Sequence, residues 1–198
     1  MRPLIVACSL VFFILSCGSS FADNSQTDGR SEKLAIIKNG PLLNALDAAD
    51  ELLSSKDQTI RSLAMEECLK SKERRLREVG FKYFIKNVKK FIVELNVPES
   101  KRDELVRIDK LQNNGGRFQS LLHLNTMYVE IDTIGENNQF SGGGTQLGHM
   151  NGMIAHGSLI LVFVHFGDAT MTFSSVEDGY IFGSLQIPNN SFAVKIPL

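Results

Sequence analysis

The chain has no tryptophan, and only five prolines and three cysteines in 198 residues. Cys8 and Cys17 both fall within the first twenty-two residues. The one thiol beyond them, Cys68, cannot close an internal disulfide, so packing must hold the fold together. After the N-terminal stretch no segment approaches the roughly eighteen uninterrupted apolar residues of a membrane-spanning helix. The sequence also has no nucleophile elbow, phosphate-cradling P-loop, dinucleotide fingerprint, His-Glu-x-x-His pair or calcium loop. Cations are nearly missing from the rear of the chain. Residues 118–198 carry Lys195 alone against six acidic residues, a balance of −5, whereas residues 31–90 carry 13 Lys and Arg against 9 Asp and Glu. Such asymmetry implies two different surfaces, one helical and one sheet-like, or else halves that dock on one another or a basic face for an acidic partner.

What the N-terminus does contain is an export signal. Arg2 supplies a minimal positive region, and Pro3 to Leu15 is an apolar run of signal-peptide length, too short to span a bilayer. Residues 1–22 therefore read as a signal peptide. Ser20-Phe21-Ala22 offers small residues for cleavage before Asp23, leaving 176 residues. Ile14-Leu15-Ser16-Cys17 resembles a bacterial lipobox, which would instead make a lipidated Cys17 the first residue. Either route implies an exported protein, periplasmic or secreted in one case and lipid-anchored to a bacterial membrane in the other. Residues 23–40 are polar and read as a mobile tail.

The front half carries a repeat of sixteen residues. Ser55-Lys56-Asp57 through Ala64 is followed in register by Ser71-Lys72-Glu73 through Gly80, and the copies close on Leu69-Lys70 and Ile85-Lys86. With the apolar spacing after Pro41, this predicts three helices over residues 41–90, joined by short turns that favour antiparallel neighbours. Ser55 or Asp57 is expected to cap the second helix, and Ser71 or Glu73 the third. Leu63 and Val79 are expected in the core, and Arg61 and Arg77 at matching places. Small Ala64 and Gly80 allow close helix contact. The pattern acidic-x-x-[Ile/Leu]-Arg-x-x-[Ala/Gly], at Asp57–Ala64 and Glu73–Gly80, resembles the helix opening of HEAT-like repeats. That resemblance implies a HEAT-like helical cap over residues 41–90.

From Phe91 the pattern turns to β structure, through residues 91–198. Strands are expected at Phe91–Leu95, Arg117–Leu124, Met127–Ile134, Gln139–Ser141, Leu159–Phe166, Thr170–Ser174, Tyr180–Ile187 and Phe192–Ile196. Gly135, Gly167 and Gly179 punctuate them as hairpin turns. Leu159–Phe166 is nearly all apolar, so both its faces should be covered. The fold expected is α+β, a three-helix cap followed by an antiparallel β-sandwich or open barrel packed on the helices.

Candidate chemistry is sparse. Gly142-Gly143-Gly144 reads as a hairpin tip. His123, His149, His156 and His165 show no tight metal-ligand spacing. Cys68 reads as a small buried hydrophobe. Asp168, Glu177 and Asp178 sit at turns. Tyr128 and Tyr180 read as core or cross-strand residues, or as the lining of a ligand groove. No catalytic, metal or cofactor residue stands out, and Cys17 is the one conditional modification site. The expected function is a non-catalytic interaction or scaffold module of the bacterial envelope with a protein partner. The alternative is a small-molecule or glycan binder using the β module. Export and interspersed acids argue against nucleic acid.

Overall fold

A computed structural model describes residues 24–103, 125–144, 148–163, 169–187 and 190–198. Four helices come first: α1 (Asn24–Asn39), α2 (Leu42–Leu53), α3 (Gln58–Lys70) and α4 (Arg74–Asn87). Eight strands follow, with a further helical segment at residues 99–103 between the first two: β1 (Lys90–Asn96), β2 (Thr126–Ile134), β3 (Gln139–Gly144), β4 (Gly148–Ala155), β5 (Ser158–Phe163), β6 (Ala169–Glu177), β7 (Tyr180–Ile187) and β8 (Asn190–Pro197). Each strand pairs antiparallel with the next, and β8 returns to β1 to close a barrel. The architecture is α+β as expected, but the β part is a closed barrel, neither a sandwich nor an open one. Closure is the more stable outcome because it leaves no unpaired sheet edge.

Bulges and glycines turn the barrel's corners. β2 skips register at Asp132 and β6 at Ser174, four strands apart. Just before each bulge the partner residue is a glycine, Gly142 beside Ile131 and Gly183 beside Phe173. A Cβ on Gly142 would run into the Glu130 carbonyl, and one on Gly183 into that of Thr172. Gly142–Gly144 is thus strand, not the hairpin tip its composition suggested. Further along, large neighbours fill the space that glycine leaves inside. The Phe140 ring lies where a Gly152 side chain would be, and Met127 and Phe163 close over Gly144.

Inward positions alternate along every strand and are apolar, as Phe91, Val93 and Leu95 on β1 and Leu159, Leu161 and Phe163 on β5 illustrate. β5 corrects the expectation of a strand covered on both faces: Ile160 and Val162 point outward and are half-buried. Residues 164–166 of that expected strand lie outside the described residues, as does the strand expected at 117–124.

Helices α3 and α4 close one end of the barrel. Met65, Leu69, Phe81, Phe84 and Ile85 join the barrel's apolar cluster, with the Phe84 and Phe91 rings 5.4 Å apart. Their other sides build a second cluster with α1 and α2, through Ile60, Ala64, Cys68 and Leu76. α3 is therefore a middle layer with two buried faces. At about 100° per residue Ile60, Ala64, Cys68, Met65 and Leu69 sweep one half of its circumference. Leu63 falls on the other half and is 44% exposed, which corrects its expected place in the core, while Val79 is partly buried against the helical cluster. Gly80 permits the close α3–α4 contact, since a Cβ there would meet Leu69 Cγ at 2.9 Å.

Residues 24–39 form a helix rather than the expected mobile tail. Leu34, Ile36 and Ile37 anchor its last turns on α2 and α3, Ile37 being buried, and Lys33 pairs with Glu51. Three apolar residues sufficed because a ready-made apolar face awaited them, which composition alone does not reveal.

The sixteen-residue repeat has a structural counterpart. Arg61 Nη1 donates to the Ser55 carbonyl at 2.7 Å, and Arg77 Nη1 to the Ser71 carbonyl at 2.8 Å. The Ser55 hydroxyl accepts from the Asp57 amide and the Ser71 hydroxyl from the Glu73 amide. Asp57 caps α3 by accepting from the Thr59 amide, whereas Glu73 stands at the α4 N-cap without a side-chain bond. The copies diverge in what the second guanidinium edge does. Arg61 Nε reaches the Tyr83 hydroxyl within the helices, while Arg77 Nε reaches the Gly157 carbonyl at 3.0 Å in the β4–β5 turn. Gly157 in turn donates its amide to Glu78 at 3.1 Å. His156 and Gly157 both have positive φ, 54° and 70°, the geometry of a tight two-residue hairpin turn. One glycine thus has both backbone polar groups held by α4.

Candidate functional site

The residues singled out in the sequence do not converge. Cys17 lies outside the described residues, as do His123, His165, Asp168 and Gly167. Cys68 is fully buried, and burial pushes its thiol up to about 12, with Glu67 acting in the same direction. It stays protonated at neutral pH and fills space between α3 and its neighbours, as expected of a small core residue. His149 and His156 lie toward opposite ends of β4, roughly 20 Å apart. His149 faces outward opposite Gly143, and His156 sits beside Arg74 at 3.4 Å. Among the described residues no three His, Cys, Asp or Glu gather as metal ligands. Asp178 occupies the β6–β7 turn, where Asp178 and Gly179 have positive φ.

The structure instead gathers polar and aromatic side chains on one stretch of the outer wall, across β7, β8, β1 and β2. Strand alternation sends Lys90, Ile92 and Glu94 of β1 outward between the buried Phe91, Val93 and Leu95. The same rule turns Tyr128 and Glu130 outward on β2, and Tyr180 and Phe182 outward on β7. Register then sets them side by side. Lys90 pairs with Glu130, and Phe182, Lys195 and Glu94 form one row across β7, β8 and β1.

Two clefts flank β1 on this wall. One, about 470 Å³, is walled by Tyr128, Lys90, Glu130 and Asp132, with Gly143 as its floor. Tyr128 is 54% exposed. The other, about 390 Å³, is lined by Phe182, Ala193, Lys195, Glu94 and Asn96. Both lysines are matched by carboxylates: Lys90 to Glu130 at 2.9 Å, and Lys195 to Glu94 at 3.0 Å. Lys195 also lies 3.9 Å over the Tyr180 ring, which packs 6.1 Å from Phe182. The hydrogen bond to Glu94 raises the Lys195 ammonium above its ordinary range, with Glu94 and Tyr180 adding charge attraction. Such a wall offers aromatic faces, hydrogen-bond acceptors and two matched ion pairs, with Asp132 as one further negative charge.

Tyr128, Tyr180 and Phe182 of this wall are among the tyrosines and phenylalanines that the sequence offers for a groove, whereas nothing in it singles out Lys90, Glu130, Glu94 or Lys195. The signal for those lies in strand register, which places residues 40 to 100 positions apart in one row. Comparison with protein-family models, characterised proteins and solved structures finds no match to this chain.

Proposed function

We propose that the chain is an exported, non-catalytic interaction module of a bacterial envelope, presenting the outer wall of its barrel around β1 to a partner. The observation that carries this reading is the division of side chains in the barrel. Inward positions are apolar and serve stability, whereas two lysine–carboxylate pairs, the exposed Tyr128 and the partly exposed Tyr180 and Phe182 lie on the wall around two clefts. An exposed tyrosine with two partly exposed rings beside it fits a binding surface, because tyrosine is enriched at interface hot spots. The HEAT-like pattern of α3 and α4 fits a rigid cap that orients the barrel.

The test is site-directed. A photo-crosslinking residue replacing Tyr128 should capture a partner in intact cells, and one replacing Gln186, on the outward face of β7 further along the barrel, should not. Equal capture at both positions, or none at either, refutes the wall as the contact surface.

Export carries its own expectation. If the lipobox is used, Cys17→Ser moves the protein from the membrane fraction to the soluble one. If not, the mature N-terminus found by mass spectrometry is Asp23. An intact leader on the mature protein refutes both routes.

A further inference from the structure

The two clefts flanking β1 fit one extended occupant, and we propose that this occupant is a neutral oligosaccharide chain. The inference rests on the barrel wall being the contact surface, and it names the chemistry of what is bound.

The geometry comes first. Phe182 is in register with Lys195, then Glu94, then Thr126, and Tyr128 lies two residues further along β2. Three inter-strand steps and two residues along a strand separate the partly exposed Phe182 ring from the exposed Tyr128 ring by ~15 Å along the curved wall. That is the span of a short chain of sugar rings, longer than one ring alone. Between the rings run the outward side chains of β1, with Glu94 and Lys90 at the two cleft mouths.

The charge pattern comes next. Each lysine on the wall is already bonded to a carboxylate. An anionic ligand would have to displace Glu130 or Glu94 from its lysine, and a cationic one would find a carboxylate without a lysine on this wall at Asp132 alone. A polyhydroxyl ligand displaces neither. Carboxylate oxygens keep free lone pairs when a lysine holds one of them, so sugar hydroxyls can donate to Glu94, Glu130 and Asp132. The apolar faces of the rings can lie on Tyr128 and Phe182. Gly143, without a side chain, leaves the floor open to a flat ring.

A peptide partner fits less well. Extended peptides bind most simply by adding a strand to a free sheet edge. Where β1 lines the clefts its edges are taken, by β2 along Lys90–Glu94 beside the first and by β8 along Glu94–Asn96 beside the second.

The experiment uses the full chain, purified as it is processed on export. Three neutral linear hexasaccharides, cellohexaose, chitohexaose and maltohexaose, are titrated against it by calorimetry, with hexagalacturonate as an anionic chain of equal length. At least one neutral hexasaccharide is expected to bind, and to bind at least tenfold more tightly than hexagalacturonate. Tyr128→Ala and Phe182→Ala should each weaken binding roughly threefold to tenfold, as loss of one ring contact does. Tyr128→Phe should retain most of it. Tyr128 is exposed, so its replacement leaves the fold intact, which thermal unfolding of the variant verifies. Binding of the hexasaccharides that Tyr128→Ala and Phe182→Ala leave unchanged overturns the inference. So does tighter binding of hexagalacturonate. If no hexasaccharide binds but the crosslinker at position 128 still captures a protein, the glycan assignment fails while the wall remains the contact surface. If neither occurs, both readings fail.

Discussion

The twin arginines offer the sharpest test of how the two halves are joined. Arg61 and Arg77 hold equivalent places in the repeat, and each bonds the carbonyl six residues earlier. Only Arg77 also bonds the barrel. Arg77→Ala orphans three carbonyl acceptors, those of Ser71, Lys72 and Gly157. Hydrogen bonds to a charged donor contribute roughly 1.5–3 kcal/mol when buried, but these groups are partly open to water, so the total loss is expected at about 2–3 kcal/mol. For a chain of this size that corresponds to a fall in Tm of roughly 4–12 °C. Arg77→Lys should recover little of it, because an ammonium cannot fork to carbonyls on two elements. Arg61→Ala, losing the Ser55 carbonyl and the Tyr83 hydroxyl, is expected to cost about 1–2 kcal/mol without touching the barrel. Urea unfolding followed by circular dichroism gives the energies, and amide exchange gives the location. The Gly157 amide, bonded to Glu78 in the native protein, should exchange faster in Arg77→Ala but not in Arg61→Ala. A loss below about 0.5 kcal/mol for Arg77→Ala, or equal acceleration at Gly157 in both variants, refutes the clasp.

Two further outcomes follow from burial. Leu69→Ala, at a position 1% exposed between α3 and the barrel, should cost about 2–5 kcal/mol in urea unfolding. Leu63→Ala, on the outer half of the same helix, should stay within about 0.5 kcal/mol. The buried Cys68 thiol gives a pH dependence. Its folded value is pushed up to about 12 from an ordinary 9.0, so above pH 9 the unfolded chain loses a proton that the folded chain keeps. Its contribution is therefore full below pH 9 and falls by about 1.4 kcal/mol per pH unit as pH rises toward 12. Cys68→Ala should flatten the stability curve in that window, and curves of equal slope for the two proteins refute it.

Much of the architecture was legible because it is written in local periodicity. The repeat places α3 and α4, and β1, β2 and β7 fall within two residues of their expected limits. The misses have one physical origin: tertiary surroundings outweigh local composition. β4 is hard to read because its inward positions, Met150, Gly152 and Ile154, include a glycine whose space the Phe140 ring fills from the preceding strand, β3. The turn that ends β4 is His156-Gly157, a weaker signal than Asn-Gly or Asp-Gly. α1 reads as a tail because its apolar residues are confined to residues 34–37 near its end, and Leu63 reads as buried because a stripe on a middle-layer helix is two stripes. The candidate wall was least legible of all, since each of its residues is ordinary in its own strand.

An eight-stranded barrel of this size can turn its apolar side either way. Lipid-embedded barrels carry an outward apolar band about 25 Å tall and keep a polar interior. Here the polarity is reversed. Inward positions hold Phe91, Met127, Leu161 and Ile196, all buried, while outward positions among the described residues include Glu94, Glu130, Asn151, Thr172, Gln186 and Lys195. Placing that wall in hydrocarbon would strip water from paired and unpaired charges at a cost of several kcal/mol each. A wall that carries these charges suits water, which fits either proposed route of export, cleavage before Asp23 or a lipid anchor at Cys17. A surface that must stay hydrated suits a ligand that is itself hydrated and neutral. Such a ligand exchanges water-mediated hydrogen bonds for direct ones at the carboxylates and hides only the faces of Tyr128 and Phe182. Affinity would then come from two aromatic contacts spaced along a chain rather than from one deep cavity, which is why removing either ring is expected to weaken binding and neither to abolish it.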